Sequence, residues 1–286
     1  MLSRLFLLVA LGVPVALAAG ICQTVFKDPN SEERPFFRVF EGQGVEIYYP
    51  KRNAQQEMFG IKIYKNQDLR KKDLHCDLCV NTTLVEDGCF KIKSTLLSVE
   101  IRDVLKYVTL SKFSGNPDVK VAASKKVEFN DYVIPSRCDC RSVPIGGCKK
   151  ASQKITEYRP LFKFHESSGF AAYIPKASST ASLGLQGLKN SNFVRGGGQQ
   201  KLDLNVDSLV ERDGCFVYDS TTASSAGPKF ALGDHLNFVV TGKKIGGEKI
   251  RTDPRKVFLT DYFIPSSCTC QPESSNVVKP QKVSRN

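Results

Sequence analysis

Tryptophan is absent from the 286 residues, and histidine occurs only three times, at His75, His165 and His235. Without an indole, stacking on a flat ligand falls to other rings, and the tyrosines Tyr48, Tyr64, Tyr107, Tyr173, Tyr218 and Tyr262 are the candidates. The histidines are scattered, and no nucleophile elbow, metal-ligand spacing or phosphate loop accompanies them. Paired carboxylates of the glycosidase kind leave no local signature, so they have no motif support either. The chain is therefore read as non-enzymatic, with no cofactor and no metal site. Also lacking is any apolar run of membrane length beyond the first twenty residues, which argues against a membrane span.

The first residues carry Arg4, a short apolar run interrupted by Pro14, and the small-residue ending Ala16-Leu17-Ala18. That pattern is a cleavable secretory signal over residues 1–19, and it places the mature chain outside the cell. All ten cysteines follow it, an even number suited to disulfides in an oxidising compartment. Asn81-Thr82-Thr83 is the only N-glycosylation sequon.

The chain repeats itself. "DYVIPSRCDC" at 131–140 returns as "DYFIPSSCTC" at 261–270, "EDGCF" at 86–90 returns as "RDGCF" at 212–216, and "FFRVFEGQGVEIYYP" at 36–50 returns as "LFKFHESSGFAAYIP" at 161–175. Constant order and near-constant offset indicate a tandem duplication. Cys22, Cys89, Cys138 and Cys140 then correspond to Cys148, Cys215, Cys268 and Cys270, four per repeat. Four cysteines allow three pairings. The expected arrangement closes two bridges inside each repeat, one cysteine of each CxC pair holding the N-terminal cysteine and the other the DGC cysteine. Cys76 and Cys79, in "HCDLCV", have no counterpart and read as a local disulfide rather than a redox or zinc site.

Period-two alternation in Val45, Ile47 and Tyr49, in Leu202, Leu204 and Val206, and in Leu236, Phe238 and Val240 predicts half-buried antiparallel strands. Turn signals such as "EGQG", "SGNPD" and "GKKIGGEK" separate them. Residues 96–110 are read as strand because of their Val, Ile and Thr content. The expected fold is all-β: two tandem disulfide-stapled immunoglobulin-like β-sandwich domains at 20–143 and 144–271, with a linker around 144–150 and a disordered tail at 272–286. "RGGGQQ" at 195–200 is read as a loop between strands.

"GFAAYIP" at 169–175, Asp213-Gly214 and "KFALGDHL" at 229–236 occur in this order in the second repeat, and Gly44 to Pro50, Asp87-Gly88 and Arg102-Asp103 repeat them more faintly in the first. The series resembles the N-terminal domain of arthropod β-1,3-glucan recognition proteins, also called Gram-negative-bacteria-binding proteins. The resemblance implies an immunoglobulin-like carbohydrate-binding module and a role in innate defence. The motifs belong to the strand framework; Cys215 and Phe216 stand where that family carries basic and aromatic residues.

Forty-one Lys and Arg against twenty-nine Asp and Glu give a formal charge of +12. Clusters at 65–72, 149–150, 243–244 and 251–256 would attract polyanions such as sulfated glycans. Nucleic acid is a poor partner outside the cell. Tyr173, Asp213, Tyr218, Lys243, Lys244 and Arg251 are the ligand-binding candidates. The expected partner is a polysaccharide or anionic glycan; the alternative is a structural or interaction module that binds other secreted proteins.

Overall fold

The computed structural model describes Cys22 and residues 25–26, 34–70, 74–140, 158–193, 202–221 and 227–271. The signal segment, Cys148, the linker, "RGGGQQ" and the tail lie outside the described residues. Apart from helical Cys22 and Val25, the elements among the described residues are strands. In residues 96–110, strand begins only at Val104.

A ten-stranded sheet runs through the whole molecule. Its order is β16 (Val210–Arg212), β17 (Cys215–Asp219), β13 (Gly169–Pro175), β12 (Leu161–His165), β10 (Tyr132–Ile134), β21 (Tyr262–Ile264), β1 (Phe36–Phe40), β2 (Gly44–Pro50), β6 (Cys89–Ser94) and β5 (Val85–Glu86). Two smaller sheets each belong to one half. The first holds β4 (Leu78–Thr82), β3 (Gln56–Lys65), β7 (Val104–Phe113), β8 (Lys120–Val121) and β9 (Lys125–Glu128). The second holds β15 (Leu204–Val206), β14 (Thr180–Lys189), β18 (His235–Lys244), β19 (Lys249–Arg251) and β20 (Arg255–Phe258).

The closing strands are exchanged between the halves. β10, from the first half, pairs in parallel with β12 of the second, Tyr132 opposite Lys163 and Val133 opposite Phe164. β21, from the second half, pairs in parallel with β1 of the first, Arg38 opposite Tyr262 and Val39 opposite Phe263. The two registers are the same once the repeats are aligned. β10 and β21 meet antiparallel at Val133 and Phe263, the same position of the two repeats. A pseudo-two-fold axis therefore passes between them, perpendicular to the sheet, because directly opposed residues of an antiparallel pair point to one face. An axis in that direction leaves both small sheets on that same face.

The cysteines follow the exchange and correct the expected pairing. Cys22 bonds Cys89 within the first half. The CxC cysteines join the halves instead, Cys138 to Cys270 and Cys140 to Cys268. They sit on a two-stranded ladder of β11 (Cys138–Asp139) and β22 (Thr269–Cys270), Cys138 directly opposite Cys270. Pro135 and Pro265 end β10 and β21, and each chain segment then turns toward its counterpart. Cys76 bonds Cys79 as expected. Cys215 is disulfide-bonded too, its partner lying outside the described residues.

Burial departs from simple alternation in the large sheet. In β2, Val45, Ile47 and Tyr49 are buried, and so are Glu46 and Tyr48 on the opposite face. Tyr49 stacks on Phe59 with ring centres 4.3 Å apart, fixing the small sheet over the large one. On the other face Arg38 Nη1 lies 2.8 Å from Glu46 Oε2, which also accepts the Tyr48 hydroxyl at 2.9 Å. A buried ion pair with an additional hydrogen bond lets charged residues occupy a central strand. One apolar cluster spans both halves. It is continuous through ring contacts between them: Phe129 with Phe263 at 5.2 Å, Tyr132 with Phe263 at 5.5 Å, and Phe36 with Tyr262 at 5.5 Å.

Candidate functional site

Where the two small sheets face each other across the axis, the exchange leaves a groove of about 280 Å³. Val133 and Phe263 form its floor, and the edge strands β9 and β20 supply its walls. The halves contribute matching positions apart from Phe129, whose repeat-mate Leu259 is not in the lining: Arg34, Lys126, Val127, Glu128 and Phe129 to Asp131 come from the first, and Arg159, Lys256, Val257, Phe258, Thr260 and Asp261 from the second.

Two reciprocal staples hold the walls. Asp131 Oδ1 accepts the Phe162 backbone N–H at 2.9 Å, and its Oδ2 pairs with Arg159 Nη2 at 3.1 Å. Asp261 Oδ1 accepts the Phe37 backbone N–H at 2.9 Å, while its Oδ2 pairs with Arg34 and accepts the Thr260 hydroxyl at 3.0 Å. Each carboxylate thus closes the first strand of the opposite half, which explains why the repeated motif starts with Asp. Burial pushes the Asp131 carboxyl up; Arg159 and the Phe162 N–H oppose it. Arg102, whose guanidinium is held below its usual range by burial and by Arg159, adjoins the same staple. It adopts φ 77°, where the second half has Gly233 at φ 90°.

A second reciprocal pair lies outside the groove. The Tyr132 hydroxyl donates to Glu41 Oε1 at 3.0 Å, and the Tyr262 hydroxyl donates to Glu166 Oε2 at 2.8 Å. Burial and these carboxylates push both phenols up.

The rim carries the sharpest difference in chemistry between the halves. Lys126 Nζ bonds Glu128 Oε1 at 2.9 Å, and this bond is the main cause that holds the Glu128 carboxyl below its usual range. At the equivalent of Glu128 the second half carries Phe258, which is 60% exposed. Its ring lies 5.6 Å from His235, tilted 43°, and Lys256 Nζ sits 5.6 Å above its centre while bonding Asn192 Oδ1 at 2.8 Å. An exposed aromatic ring flanked by a cation and an imidazole is the kind of surface on which a sugar ring stacks.

The sequence candidates lie elsewhere. Tyr173 and Tyr218 are half-buried on adjacent strands β13 and β17, and the Tyr218 ring packs on Phe170 at 5.1 Å. Asp213 is exposed in the turn between β16 and β17, at φ 50°. Lys243, Lys244 and Arg251 come together on the β18–β19 hairpin, with Lys244 Nζ 3.0 Å from Glu248. None of these six lines the groove. All nine tyrosines are buried or half-buried, and none is as exposed as Phe258. Phe258 was missed because Phe in "KVFL" reads as core. The signal that could have found it is its repeat-mate Glu128, a polar residue that marks the position as outward-facing.

Asn81 is exposed on β4, within reach of a modifying enzyme. Among the described residues no cluster of His, Cys, Asp and Glu could hold a metal ion, and no helix is long and apolar enough to cross a membrane. The disulfides are those of a chain matured in an oxidising compartment.

Comparison with curated proteins gives no match. Residues 28–144 match the carbohydrate-binding family CBM39, described as "Carbohydrate binding domain (family 32)". The matched stretch is the half in which the sequence motifs are fainter, and it carries Arg34, Lys126, Glu128, Asp131 and the exchanged strand β10. The match supports a carbohydrate-binding domain in the first half.

Proposed function

We propose that the chain is a secreted, non-enzymatic recognition protein that binds a polysaccharide of microbial or matrix origin, β-1,3-glucan-like, in innate defence. The observation that carries the reading is the carbohydrate-binding match over 28–144. The resemblance of the second repeat to glucan recognition proteins extends it to both halves, read as repeat units 20–143 and 144–271. The staple carboxylates have a structural task that suits a binding module: Asp131 and Asp261 each engage a guanidinium and a backbone N–H, which ties the groove walls together. The mature chain should be retained on insoluble β-1,3-glucan or chitin and leave their bonds intact. Failure to bind any insoluble polysaccharide in a depletion assay would remove this reading.

A second reading has its own observation. The β18–β19 hairpin places Lys243 opposite Lys249 and carries Lys244 and Arg251. It would favour a sulfated polyanion, and retention on heparin that vanishes by moderate salt would distinguish it.

A further inference from the structure

We infer that the groove between the halves holds one strand of a neutral polysaccharide, gripped by both repeats and oriented by the Glu128–Phe258 difference. This rests on the polysaccharide reading and assigns it a place that neither half contains alone.

The charge on the walls decides the ligand class. Although the chain is strongly basic overall, the groove is nearly balanced. Arg34 is paired with Asp261, Arg159 with Asp131 and Lys126 with Glu128, leaving Lys256 as the one cation of the lining without a carboxylate partner in these pairs. Paired charges create little long-range field for a polyanion. They do present fixed donors and acceptors side by side, which suits hydroxyl groups that donate and accept at once. The groove lies at the low end of small-molecule site volumes, ~300 Å³, so it takes a short stretch of a polymer and leaves the rest outside.

A two-fold site would accept a directional chain equally in both senses. Here the axis relates Lys126 to Lys256 and Asp131 to Asp261, but it relates Glu128 to Phe258. One wall therefore offers an aromatic face and the other a carboxylate. A sugar ring that stacks on Phe258 leaves its neighbours to meet the Lys126–Glu128 wall, and reversing the strand changes which edge of each ring faces the two walls. The Glu128–Phe258 pair is the only one in the lining that sets a carboxylate against an aromatic ring; the differences Asn130/Thr260 and Val133/Phe263 are smaller.

Symmetry also supplies the test. In full-length mature protein, Phe258→Glu should weaken binding to insoluble β-1,3-glucan by about tenfold, equivalent to ~1.4 kcal/mol. The double variant E128F/F258E exchanges the aromatic ring and the carboxylate between the walls, on a frame that still differs at Asn130/Thr260 and Val133/Phe263, and should recover part of the loss. Phe258 and Glu128 are both exposed, so folding is checked simply by unchanged thermal melting and an unchanged disulfide map. Retention of wild type on β-1,3-glucan, loss in F258E and recovery in the swap support the site. Wild-type retention with F258E unaffected, or loss without recovery in the swap, overturns the groove while leaving polysaccharide binding intact. Retention on heparin alone overturns the neutral class. Retention on nothing overturns the functional reading itself.

Discussion

His165 shows how a single position separates the two repeats. It occupies β12 where β1 has Phe40, and burial, followed by the nearby Lys163, lowers its pKa to about 4, with Asp219 opposing. The folded protein prefers the neutral ring, whereas the unfolded chain takes up a proton near the ordinary histidine value of about 6.5. Between those values the unfolded state binds more protons, so stability falls as pH drops through the window and the loss is complete below about 4. The ring keeps some contact with water, so the loss should be about 1–2 kcal/mol. His165→Phe should flatten the urea midpoint between pH 4 and 6.5 relative to wild type. Asp261→Ala is a harsher change: it removes the acceptor for the buried Phe37 N–H and the partner of Arg34. A loss of about 2–3 kcal/mol in denaturant unfolding is expected. The sequence displayed both residues, but not their roles. Asp131 and Asp261 stood in the repeated motif as strand flanks, and only the exchanged pairing shows what their carboxylates hold.

At the scale of elements, the doubled "DY-x-IPS-x-C-x-C" was legible as a closing strand and a cysteine clasp. Its partner was not. β10 and β21 present nearly the same side chains, so either could lie on either opening strand, and alternation is satisfied both ways. The choice comes from the length of chain between strand and acceptor and from the docked Phe129, Tyr132 and Phe263 rings, none of which a local pattern contains. Partial digestion of the unreduced protein should yield Cys138 linked to Cys270 and Cys140 linked to Cys268, and no peptide joining either CxC pair to Cys22. Replacing all four clasp cysteines by serine should cost about 4–5 kcal/mol in the chain-entropy account, since each bridge closes a loop of more than a hundred residues and the second adds little once the first is made. The alternation of β2 and β18 was read correctly as strand, but half-burial was not, because the Arg38–Glu46–Tyr48 network needs residues from two strands to make a buried charge tolerable.

For the whole molecule, exchange means that each repeat has an opening strand paired with the closing strand of the other. Residues 20–143 alone retain β1 without β21 and β10 without β12. Because the two registers are equivalent, a second copy can supply each missing neighbour, and this fragment should sediment as a dimer with Val133 facing its own symmetry mate. A stable monomer would show instead that β10 can fold back on its own β1. The order of synthesis adds a constraint of time. β1 waits for β21, whose residues follow about 220 positions later, so at ordinary elongation rates its edge stays open for roughly 10–45 seconds while the chain emerges. Until then the first half exposes a bare strand rich in phenylalanine, a surface that chaperones bind. A chain cut short anywhere before Tyr262 is left permanently in that condition, which makes β21 an internal check that both halves have been made.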